Sequence, residues 1–276
     1  MPSNLWQTTI QFPFAVNLII YIVLVVIAIA GLYFVWQRGK AAGFVMRWTT
    51  QDILILAVMG VLLEVYDNLI GDQFITPIIK LLPAGDILHA LAINDIPYMF
   101  LLMVGIALIR KPGVATAMVF LNFLLKQLLY PGSESSVLWW PYGIYQGLLV
   151  DAYIVLRGPH ILERPNRQSV LDGLVIGALR AVPAVTIATV IMKPFLNGTV
   201  ETFGRIFINS TLNMLGNGVA AAIWAPVAIF IARSVNQTST HEVTSREALG
   251  SSTEVTSREA LGSSTEVQQE EVVSNE

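Results

Sequence analysis

The sequence predicts an all-α integral membrane protein of about seven transmembrane helices. Three observations carry that prediction. Hydrophobic residues make up 54% of the 276 and charged residues only 13%, about half the charge of an ordinary soluble domain. Several apolar runs reach the roughly 20 residues that cross a hydrocarbon core as helix. These runs do not alternate, which favours helix over a barrel. Finally, Lys and Arg crowd one set of connections and are scarce on the other, the asymmetry that orients helices in a bilayer.

The expected spans, in order, are 14–36, 52–71, 94–110, 113–130, 137–156, 169–192 and 205–232. The first follows a stretch without Lys or Arg and has no small-residue cleavage site after it, so it reads as a retained helix. Residues 1–47 then form an accessory unit and 48–233 the main membrane domain. Residues 72–93 contain Pro77, Lys80, Pro83, Asp86 and His89. That is too polar for a free-standing span, so the segment reads as a long outer loop with a short helix. Arg38, Lys40, Arg47, Arg110, Lys111, Arg157, Arg164, Arg167 and Arg233 share one side, whereas Lys80, Lys193 and Arg205 share the other. The first side is expected to be cytoplasmic, which puts the N-terminus outside the cell membrane and the C-terminus inside. Trp139 and Trp140 then lie at the outer interface, and Asn197-Gly-Thr is an outward glycosylation sequon. From Ser234 onward there are eight Glu and two Arg. This acidic tail, 234–276, carries the 12-residue repeat Val243–Glu254 twice in tandem and reads as disordered.

No cysteine is present, and His89, His160 and His241 have no ligand spacing. Neither a metal nor any cofactor is expected. Ionisable groups at membrane depth are costly and therefore mark candidate sites. Glu64 and Asp67, three residues apart, share a helix face and would attract a cation. Asn122 lies one turn from Lys126, which either snorkels to the interface, pairs with Glu64 or binds an anionic group. Tyr142 and Gln146 fall in the outer half of the fifth span. Asp151 lies nearer its cytoplasmic end. Arg180 is close to mid-membrane and needs a carboxylate on another helix or a ligand. Asn209, Asn213 and Asn217 form one stripe on the last span, either interhelical glue or cavity lining. By depth these groups converge on the outer half of the bundle, which suits a small polar solute. There is no ATP-binding loop and no nucleophile–base constellation, so an enzyme is not expected.

Two motifs are more specific. Arg110-Lys-Pro-Gly113 opens one helix, and Gln146-Gly-x-x-x-Asp151 follows on the next. With Trp48–Gly60 upstream, this stretch resembles the substrate-binding S component of energy-coupling-factor (ECF) vitamin transporters, nearest the YkoE-like hydroxymethylpyrimidine/thiamine branch. The resemblance implies a six-helix S-component-like bundle with 14–36 as one extra N-terminal transmembrane helix, and 72–93 as an outer lid. It further implies a vitamin-like solute bound by Glu64, Asp67, Asn122, Tyr142, Gln146 and Asn213. The implied partners are a transmembrane coupling protein, two ATPase subunits and the lipid bilayer, with no nucleic acid. Asp151 stands where the branch usually has Glu, and Val119 and Lys126 stand near places where it has carboxylates. The other reading of the chain is a non-transporting subunit of a larger membrane complex, docked through its N-terminal helix and its tail.

Overall fold

A computed structural model describes residues 5–129 and 136–235. The repeat tail, Tyr130 and His241 lie outside them. The described residues are helical, without a strand; an isolated bridge joins Thr9 to Thr202. The helices are α1 (Phe14–Ala41), α2 (Thr50–Leu81), α3 (Gly85–Ala90), α4 (Ile96–Ile109), α5 (Val114–Leu129), α6 (Trp140–Arg157), α7 (Arg167–Asn197) and α8 (Phe203–Val235). Among them α1, α2, α7 and α8 are long and apolar enough to cross a membrane, and α5 and the helical run 93–109 are shorter apolar helices. This is compatible with a multi-pass membrane protein. By contact clustering the chain divides into Met1–Phe230 and Ile231–Glu276; of the second unit only 231–235, the end of α8, are described.

Helix starts are encoded locally. Thr49 caps α2 in a reciprocal box with Asp52, and Asn166 caps α7 in the same way with Ser169. Each box satisfies backbone N–H groups that would otherwise be orphaned at a helix start. Glycine then sets the spacing between helices. A side chain at Gly147 of α6 would collide with the backbone of Thr116 on α5, and one at Gly177 of α7 with the backbone of Asn217 on α8. Small residues allow such backbone approach, which stabilises helix pairs where no hydrophobic drive exists. Helix α6 is central, packing on α5, α7 and α1. Helix α1 leans on it through Tyr145, whose hydroxyl donates to the Leu24 carbonyl at 2.8 Å. Its opposite face is largely uncovered, with Ile19 and Ile29 both 61% exposed.

The long loop expected over 72–93 is corrected. Helix α2 does not stop at Gly71 but runs on to Leu81, through π-helical turns over Val65–Ile75. Pro77 falls in the first α turn after the π segment, where the backbone ladder already departs from regular i→i−4 pairing. The chain breaks only at 82–84, and α3 follows between two left-handed residues, Ala84 and Ala92. Helix α7 likewise widens into π turns over Ala188–Asn197, around Pro194. Polarity within 72–93 therefore marks a lined helix end more than a loop.

Candidate functional site

The polar residues of one end of the bundle meet in a cavity of about 290 Å³. Asp67 and Asp72 reach it from the π turns of α2, and Asn122 and Lys126 from α5. Tyr142 and Gln146 come from α6, Arg180 from α7 and Asn213 from α8. The connection from α3 to α4 supplies His89, Asn94 and Asp95, followed by Tyr98 on α4. No residue of α1 lines it.

The anchor is Arg180. It is 6% exposed, donates to Asp95 at 2.6 Å and to the Asn217 side-chain oxygen at 3.1 Å, and stacks 4.3 Å from the Tyr98 ring centre. The Asn217 amide in turn donates to the side-chain oxygen of Asn213 at 3.1 Å. The asparagine stripe of α8 thus runs from the cavity wall inward to a buried guanidinium. Charge-assisted contacts of this kind hold three helices in one geometry. Across the cavity, Asn122 donates to Asp67 at 3.4 Å, and Lys126 lies 3.9 Å from Asp72. The hydroxyl of Tyr66 donates to the Asn94 carbonyl at 2.6 Å, fixing the α3–α4 connection against α2.

Several buried polar atoms of the lining have no hydrogen-bond partner among the described residues. They are Nδ1 of His89, Oδ1 of Asn94, Oδ1 of Asn122, Oε1 of Gln146 and Nε of Arg180. Buried polar groups are normally paired, and each one left unpaired costs roughly 1–3 kcal/mol. Their concentration at one cavity gives it a hydrogen-bonding demand that the chain itself does not meet. Most of these atoms are side-chain carbonyl oxygens, so the demand is largely for donors.

Two expected residues stand elsewhere. Glu64 is 2% exposed but does not line the cavity, and neither carboxylate oxygen has a partner among the described residues. The α helix gives way to π turns immediately after it, so the spacing from Glu64 to Asp67 is not that of a regular α helix. Asp151 is fully buried and lies away from the cavity. Its carboxylate accepts from the backbone N–H of Ala115 at 3.2 Å and of Thr116 at 2.7 Å, and from the Thr116 hydroxyl at 2.6 Å. From α6 it caps the start of α5. The two sequence motifs are therefore one interlock: the turn ending at Gly113 delivers the N–H groups, Asp151 receives them and Gly147 lets the backbones touch.

Sequence reading missed Asp95 and Tyr98. An acidic residue beside Ile96-Pro97 looks like an ordinary first-turn acid placed for the helix dipole, and nothing local ties it to Arg180, 85 positions away. The usable signal is the arginine itself, which needs a carboxylate on another helix or a ligand. Among the described residues, no group of His, Asp or Glu side chains is placed to hold a metal ion. Compared with family models, curated proteins and solved structures, the chain matches none.

Proposed function

We propose that this chain captures a small, donor-rich solute in the cavity anchored by Arg180. In this reading it is the membrane-embedded solute-binding component of an ECF-type ABC importer, taking up a vitamin such as thiamine or its pyrimidine precursor. The observation that carries the binding reading is the set of partnerless buried atoms around one cavity. An amino-substituted pyrimidine offers the N–H donors that the oxygens of Asn94, Asn122 and Gln146 lack.

Charge supports a cationic or neutral solute over an anion. The lining holds Asp67, Asp72 and Asp95 against Lys126 and Arg180, and Asp95 is already taken by Arg180. Phe123 and Tyr142 add aromatic surface for a flat ring. The volume is at the lower end of ligand pockets, which suits one or two rings. The importer part of the reading comes from the Arg110–Gly113 and Gln146–Asp151 motifs, and it assigns ATP hydrolysis to partner subunits.

The test is equilibrium binding and thermal shift on the purified full chain, against thiamine, hydroxymethylpyrimidine and a panel of other vitamins. Saturable binding of one of them, weakened roughly tenfold or more by Asp67→Asn, is the expected result, equivalent to about 1.4 kcal/mol. Absence of a shift with every vitamin would remove the reading. Co-purification from native membranes with redox subunits, and no ATPase, would favour the accessory-subunit alternative.

A further inference from the structure

A second polar chamber, of about 430 Å³, lies where α3, the widened end of α7 and the start of α8 meet. Asp86, Lys193, Glu201 and Arg205 line it, two charges of each sign that sum to zero. Glu201 and Arg205 face each other at a loose 3.8 Å, and Asp86 and Lys193 make no ion pair among the described residues. An apolar groove of about 440 Å³ begins where this chamber ends. Along one wall the lining passes from Ala90 to Leu91, and along α8 it passes from Asn213 to Leu215. The polar side-chain atom of the groove, Nε1 of Trp224, already donates to the Ile96 carbonyl at 3.1 Å. Its lip on α8 is open: Leu215, Val219 and Ile223 are 56%, 51% and 61% exposed.

We propose that the chamber and the groove together hold one phospholipid whose headgroup is net neutral and carries a primary amine, as in phosphatidylethanolamine. Charge complementarity selects the headgroup. Lys193 and Arg205 suit the phosphate, and Asp86 and Glu201 accept from an ammonium. An anionic headgroup would leave the two acids facing its charge, and a choline headgroup has no N–H to donate to them. The groove selects a lipid over a soluble phosphate ester, since it offers an acyl chain an apolar bed without a free polar side-chain atom. At the junction the Leu91 carbonyl rests on Gly216, where a side chain would collide with it, so the acyl chain lies across this crossing into the groove. Depth agrees. Trp6 packs on Phe203 and Phe207, at ring distances of 6.1 and 5.9 Å, and these two bracket Arg205 on α8. Exposed aromatic clusters of this kind sit at the level of lipid headgroups. The proposal requires that the chain span a bilayer, and it does not depend on the inner cavity binding a solute.

The test is native mass spectrometry of the full-length protein in detergent, titrated with phosphatidylethanolamine, phosphatidylcholine and phosphatidylglycerol of matched chains. One phosphatidylethanolamine per chain is expected, favoured roughly fivefold over either of the others. Asp86→Asn with Lys193→Gln should abolish that preference, and Asp86→Lys should redirect it to phosphatidylglycerol. Val219→Trp, which fills the groove from its exposed lip, should weaken all three lipids. Unchanged unfolding midpoints show that these variants, all at exposed or half-buried positions, keep the fold. Glycerophosphoethanolamine, the same headgroup without acyl chains, should not displace the lipid at equal concentration. Equal binding of the three lipids by the unaltered protein, or a preference for phosphatidylglycerol, overturns the proposal. So does a preference that survives the Asp86→Asn/Lys193→Gln change, or lipid binding indifferent to Val219→Trp. Displacement by glycerophosphoethanolamine would make the chamber a site for a soluble phosphate ester and overturn the lipid occupant.

Discussion

Where α2, α5 and α7 begin, Asp52, Asp151 and Asp172 are all engaged. Asp52 closes a capping box and pairs with Lys111, whose ammonium also donates to the Arg47 carbonyl at 2.9 Å. Asp151 caps α5. Asp172 accepts from Arg157 at 2.9 Å and from the Tyr153 hydroxyl at 2.6 Å. At the opposite end one acid and three amides, Glu64, Asn94, Asn122 and Gln146, have partnerless buried atoms, and α2 and α7 abandon α geometry there for π turns. The difference separates two uses of polarity in an apolar bundle. Satisfied groups fix helix register, and unsatisfied ones keep a demand open for something else to meet. Wide π turns, rare in proteins and common at functional positions, lie at the demanding end.

Mutations can break or sharpen this contrast. The largest effect is expected at the Arg180–Asp95 ion pair of the cavity end. Arg180→Ala would leave the half-buried Asp95 without its cation and the Asn217 side-chain oxygen without its donor, and should cost about 3–5 kcal/mol of stability, seen as a large drop in unfolding midpoint together with loss of solute binding. Asp151→Ala, at the engaged end, should cost about 3 kcal/mol by orphaning the first N–H groups of α5. Its expected signature is a lower midpoint with solute affinity unchanged in the surviving folded fraction. Gln146→Met should act in the opposite direction. Replacing a 4% exposed amide that has an unpaired oxygen by an apolar chain of similar length should raise stability by about 1 kcal/mol while weakening binding. If that variant loses both properties, the partnerless atoms are structural and the contrast fails. The smallest effect is Asp52→Ala, which removes half of a capping box and should cost about 1 kcal/mol, with no change in binding.

Much of this contrast could be read in the residues, for physical reasons that also fix where reading stopped. Long apolar runs without alternation announce helices because only a helix satisfies every backbone group within its own segment in an apolar medium. Arg180 announced a missing carboxylate because a buried guanidinium cannot stand alone. The Asn209–Asn213–Asn217 spacing announced a polar stripe on α8. Helical periodicity, however, assumes one residue angle throughout, so Glu64 and Asp67 read as one cavity face, whereas the helix changes from α to π just after Glu64 and only Asp67 lines the cavity. The Gln146-Gly-x-x-x-Asp151 motif kept its spacing but divided its roles: Gln146 lines the cavity while Asp151 holds up a neighbouring helix. Asp72–Leu81 reads as loop because its prolines and charges count against a free-standing span, whereas a helix widened into π turns accepts them.

The interlock of α5 and α6 has a mechanical consequence. Their backbones touch at Gly147 and Thr116, and the Asp151 carboxylate ties one helix to the first turn of the other. Neither can roll or slide without colliding or orphaning donors, so the pair can move only as a single lever. Any opening that admits or releases cargo must then come from the other walls, the widened halves of α2 and α7 and the short α3. The stiff half of the cavity serves as the anvil and the widened half as the hinge.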